Sequence, residues 1–120
     1  MRRVYADRHK AEAIVSMAML CLKRAEETNP REYASLVLKD YYAVLRELMA
    51  ALALLDGYAF SGEGAHEQLI NHCASGELAS HRAFLQQLRD YSFVSPEYVT
   101  RNHRRILRIA MLLRKEIRNA

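Results

Sequence analysis

The chain has little of what an all-β or disulfide-stapled fold needs. It carries only four glycines and two prolines, too few turn residues to close a succession of short strands. Tryptophan is absent, and the two cysteines, Cys21 and Cys73, stand apart with no Cys-x-x-Cys spacing. That excludes a disulfide framework and makes a reducing, cytoplasmic setting the expectation. Long apolar runs are missing too. The longest, Leu48 to Leu55, falls well short of the roughly 20 residues of a membrane helix, so no membrane partner is expected. Met1-Arg2-Arg3 is basic, but Val4-Tyr5-Ala6-Asp7-Arg8 follows instead of an apolar segment, which is not the build of a secretion signal. No phosphate loop, dinucleotide fingerprint or nucleophile elbow occurs, and Gly57, Gly62 and Gly64 read as turn residues.

What is present is a globular balance. Of 120 residues, 51% are hydrophobic and 27% charged, which supports one domain over 1–120 with its own core and rules against disorder. The hydrophobic residues recur at helical spacing. Ala11, Ile14, Val15, Ala18, Cys21, Leu22 and Ala25 predict a helix from Asp7 to Thr28. Asn29-Pro30 is a cap followed by a proline at the first helical position, and opens a second helix to Asp56. Its seam is Leu38, Tyr41, Leu45, Leu48, Leu52 and Leu55, alternating steps of three and four. Gly57 suits the left-handed position that closes a helix, and an irregular stretch runs from there to Gly64. Short helices are predicted over Ala65–Cys73 and Leu78–Tyr91, the latter turning Leu78, Phe84, Leu85 and Leu88 inward. Ser95-Pro96 repeats the cap signature and starts a last helix to Arg118, with Val99, Ile106, Ala110, Leu113 and Ile117 as its stripe. The expected fold is all-α, an antiparallel up-and-down helical bundle of four to five helices.

The net charge of +4 is concentrated near the carboxyl end. From Glu97 to Arg118, seven cations face two carboxylates, leaving the rest of the chain close to neutral. Arg101, Arg104, Arg105 and Arg108 share a helix face, and forked guanidinium donors suit phosphate, so these are candidate nucleic-acid or nucleotide contacts. A solvated helix face has the same pattern. Among the histidines, His66, His72, His81 and His103, no His-x-x-x-His pair exists. His72 and Cys73 are adjacent, so their side chains leave a helix about 100° apart and do not converge on one ion. Neither a metal nor a cofactor is expected. His103 falls on the apolar stripe of the last helix, where a partly buried histidine is the ordinary reading and a polar group lining a cleft the sharper one.

The second helix carries a resemblance. The run Tyr41 to Tyr58, acidic, rich in Ala and Leu and ending in Gly57-Tyr58, resembles the central helix of the HEPN superfamily. Ala65-His66-Glu67-Gln68-Leu69-Ile70 is similar to the element that opens that family's next helix. Ser95 to His103, continuing through Ile106 and Ile109, resembles the last helix of archaeal-type members. The similarity covers about residues 9–118. It implies a helical bundle that forms homodimers, often beside a small nucleotidyltransferase as toxin and antitoxin. Active members are metal-independent ribonucleases. Their motif, an arginine followed four to six residues on by a histidine, forms a composite site across the dimer. There the arginine stabilises phosphorane charge while the histidine moves the 2′-hydroxyl proton.

The chain departs at that motif. Arg89-Asp90-Tyr91 stands in its place, but Val94, Ser95 and Pro96 occupy the positions where a histidine is needed. The matches that begin at Arg2 or Arg3 end at His9, in the wrong helix. The expected function is therefore a catalytically degenerate HEPN-like binding module: a homodimer with a nucleotidyltransferase partner that engages nucleotide or RNA. Arg89 joins Arg101, Arg104, Arg105 and Arg108 as a candidate contact. The alternative is a ribonuclease with a site rearranged around Arg89, Tyr91 and His103; the third possibility is a helical interaction protein unrelated to the family. The expectation of a homodimer has a physical motive as well, since Tyr41, Tyr42, Met49, Tyr58 and Phe60 add apolar surface to long apolar stripes.

Overall fold

A computed structural model of the chain describes residues 2–90 and 94–120. Among these it forms five α-helices: α1 (Arg8–Glu27), α2 (Pro30–Leu55), α3 (Ala65–Cys73), α4 (Arg82–Asp90) and α5 (Pro96–Asn119). The all-helical bundle expected from periodicity is the fold observed. No helix is long and apolar enough to cross a membrane, among the described residues.

The caps act as their residue types require. The Asp7 carboxylate accepts from the Lys10 amide at 3.0 Å, and Asn29 accepts from the Arg31 amide at 2.9 Å. Ser95 accepts from the Tyr98 amide at 3.2 Å, with Pro96 in the first turn where its missing N–H goes unnoticed. Near its start α2 is kinked at Tyr33, whose φ of −131° and ψ of 42° leave the helical region.

α2 is the central helix. Its predicted seam is buried except for Leu55, which is half-buried, and Val37, Val44, Met49, Ala51, Ala53 and Leu54 are buried as well. A helix apolar around most of its circumference sits inside a fold and not on its edge. α1 runs antiparallel to it, tied by an Arg24–Asp40 ion pair of 3.4 Å. α5 runs antiparallel to α1: the Arg8 guanidinium at the start of α1 donates to the Ile117 carbonyl at 3.4 Å near the end of α5. The segment Gly76–His81 before α4 runs antiparallel to α5, as Lys115 reaches back to Glu77 and Arg105 to His81. The core holds no buried charged side chain among the described residues, and Tyr41, buried to 2% exposure, has its phenol pushed up to about 12 by that burial and by Glu26.

Three details differ from the sequence expectations. The segment predicted as a helix from Leu78 to Tyr91 is a 3-10 turn over Gly76–His81 followed by α4, and Tyr91 lies outside the described residues. Within the irregular stretch, Tyr58–Ala59 (β2) pairs antiparallel with Arg2–Arg3 (β1), and the Val4 amide donates to the Gly57 carbonyl at 2.9 Å. Gly57 has φ +88°, the left-handed conformation expected of it. The third difference concerns exposed apolar surface. Tyr41 and Met49 are buried, and Tyr42, Tyr58 and Phe60 are half-buried. Exposed instead are Met17 and Leu20 on α1, both at 62%, and Tyr33 and Leu36 on α2.

Candidate phosphate-binding surfaces

α5 places its arginines by helical phase. Its apolar stripe, Val99, Ile106, Ile109, Ala110, Leu113 and Ile117, faces α2 and the core. Arg101, Arg104, Arg105 and Arg108 are left on the exposed side. No carboxylate pairs with any of the four among the described residues. Arg105 is the ordered member. Its guanidinium lies 4.2 Å from the Phe84 ring centre, and its Nε donates to His81 Nδ1 at 3.2 Å. Burial, then the charges of Arg105 and Arg108, lower the His81 pKa below the ordinary imidazole value. His81 is therefore a neutral acceptor at pH 7, and Arg105 keeps its terminal N–H groups for a ligand. Ring and imidazole together pre-set the direction of one guanidinium on an otherwise free face.

Arg89 and His103, the sequence candidates for a rearranged site, lie against different sides of α2. His103, half-buried on α5, packs its ring 5.8 Å from that of Tyr41. That matches the ordinary reading of a stripe histidine. Arg89, exposed at the end of α4, acts instead on His66 at the start of α3. The His66 ring centre is 5.0 Å from that of Tyr42, whose hydroxyl shares a hydrogen bond with His66 Nδ1. Tyr41 and Tyr42 are consecutive, so they leave the helix about 100° apart and carry their histidines with them. The His66 pKa is lowered, chiefly by burial and then by Arg89, against weaker upward pulls from Asp90 and Glu67.

A third histidine serves the fold. His72 Nε2 and Asp56 Oδ2 are 2.9 Å apart, and the His72 ring meets Tyr58 edge-on at 5.4 Å and Phe60 at 5.8 Å. This cluster fastens the segment after α2 to α3. Cys73 beside it is buried, its thiol pushed up to about 12 by burial and by Asp56, so it is inert at neutral pH. Among the described residues no three His, Cys, Asp or Glu side chains converge as metal ligands would.

Lowered pKa values at His66 and His81 carry a sign. The unfolded chain takes up protons at the ordinary value of 6.5 while the folded imidazoles still resist them. Their contribution is whole above that value and is lost as pH falls through it toward the folded values. The midpoint of thermal unfolding should drop between about pH 7.5 and 5.5, and drop less in a His66→Gln, His81→Gln double variant. Equal slopes in the two proteins would refute the assignment.

Compared with known proteins, the chain matches no family model, no curated protein and no solved structure.

Proposed function

We propose that the chain is a catalytically degenerate HEPN-like module, a cytoplasmic homodimer that contacts the phosphates of RNA or nucleotide along α5. The observation that carries this is the unpaired arginine face, with Arg105 held in place by Phe84 and neutral His81. Guanidinium groups that no internal carboxylate neutralises are available to a phosphate backbone. The five-helix architecture agrees with what the resemblance implies, and the partner class, a nucleotidyltransferase of the toxin–antitoxin type, rests on that resemblance. For the homodimer, support comes from α1. Met17, with Ala13, Ile14 and Cys21, borders an apolar groove of about 430 Å³ against Ala43 of α2, and Leu20 extends the exposed ridge.

The test is RNA binding against salt. Wild type should bind single-stranded RNA with an affinity that falls steeply as salt rises. Arg104→Glu with Arg108→Glu removes two phosphate contacts and should lower the log–log slope by about 1.4. Unchanged binding by that variant would overturn the α5 reading. In a metal-free buffer wild type should leave the RNA intact; cleavage that Arg89→Ala abolishes would install the ribonuclease reading in its place.

A further inference from the structure

A groove of about 630 Å³ lies between the first half of α2 and the end of α4. Leu36, Leu88 and Val94 give it an aliphatic wall, and Leu36 is 52% exposed, so that wall is open to solvent. Lys39 and Arg89 also line it, and among the described residues no carboxylate does. Neither cation has an ion-pair partner among the described residues. Asp40, next to Lys39, is engaged with Arg24 on the α1 side. Tyr42 adds a hydroxyl to the lining, fixed from behind by His66. Two cations free of ion pairs thus stand at a concave surface that also offers apolar contact, with the Asp90 carboxylate as the chain neighbour of Arg89.

We infer that this groove binds a small organic phosphate, its head between Lys39 and Arg89 and its body against Leu36, Leu88 and Val94. A phosphomonoester carries close to two negative charges at neutral pH, matching two free cations; a carboxylate supplies one. The Arg89 fork suits two phosphate oxygens at once, while Lys39 acts as a point charge. The volume lies within the range of small-molecule sites. The groove is distinct from the α5 strip, since no described residue of α5 is in its lining. The inference stands whether or not α5 binds RNA.

Three probes separate head from body: phenyl phosphate has both, inorganic phosphate only the head, benzoate the body with one charge. Calorimetric titration of the full chain should show saturable binding of phenyl phosphate, at least about tenfold tighter than either control. Lys39→Glu and Arg89→Glu should each weaken it by about tenfold or more, and Lys23→Glu, at an exposed cation of α1 away from the groove, should leave it unchanged. A phosphate seated on Arg89 also cancels the charge that disfavours His66 protonation, so the His66 proton resonances should titrate at higher pH in its presence. Absence of saturable binding would overturn the inference. So would equal loss in the Lys39 and Lys23 variants, which marks diffuse attraction, or a His66 titration that ignores the ligand.

Discussion

Leu48→Ala should lower the midpoint of thermal unfolding by about 12 °C. Leu48 is wholly buried in the second half of the central helix, and α2 is enclosed by α1, α3 and α5. Truncation removes three carbons and leaves a void that packed neighbours refill only in part, a loss of about 3 kcal/mol. For a domain of this length that converts to about 4 °C per kcal/mol. The control is Leu20→Ala, at a site 62% exposed on α1, which should stay within about 0.5 kcal/mol of wild type in the monomer. Circular dichroism melts at one fixed protein concentration make the comparison, because dimerisation shifts apparent stability. Similar losses at the two sites would mean that α2 is not the core helix.

That α2 is central was legible from its residues. Steps of three and four from Leu38 to Leu52 place one face inside, and the Ala and Leu between them leave few polar positions for a second face. The helix starts were equally plain, since Asp7, Asn29 and Ser95 are residues whose side chains satisfy free amides. The β1–β2 ribbon was not. Two-residue strands have no period to read, and their pairing joins Arg2 to Ala59 across the whole of the first two helices. Nor was the 3-10 turn before α4, because Leu78, Leu85 and Leu88 fit one continuous helix and the register change between them leaves no compositional mark.

Met17→Glu with Leu20→Glu should convert the proposed homodimer into a folded monomer, raising its dissociation constant by about 100-fold or more. The two side chains project from neighbouring turns of α1 and contribute little to the core, so burying carboxylates there opposes association without opening the bundle. Sedimentation equilibrium reads the mass, and far-ultraviolet dichroism checks that helix content is kept. A wild type already monomeric at micromolar concentration would remove the dimer from the proposed function. A variant still dimeric would move the interface away from α1.

The site was less legible than the fold, for a physical reason. Helical phase put Arg101, Arg104, Arg105 and Arg108 outward, but that Arg105 lies over Phe84 depends on how α4 crosses α5. In the same way Arg89 and His66 are brought together by the paths of three helices, and neither lies at motif distance from the other. Sequence spacing directs attention to pairs within one element. Here the pairs that matter join α2 with α3 and α4 with α5, and adjacent tyrosines on α2 decide which histidine goes where.

One helix, α2, borders both grooves. Leu36 forms part of the α2–α4 groove wall and stands two helical turns before Ala43, which borders the α1–α2 face. A second subunit that reached Leu36 would change the environment of an anion held by Lys39 and Arg89. Thermodynamic linkage then runs equally in both directions: whatever factor the ligand applies to self-association, self-association returns to the ligand. The module would sense its own concentration through the occupancy of the groove.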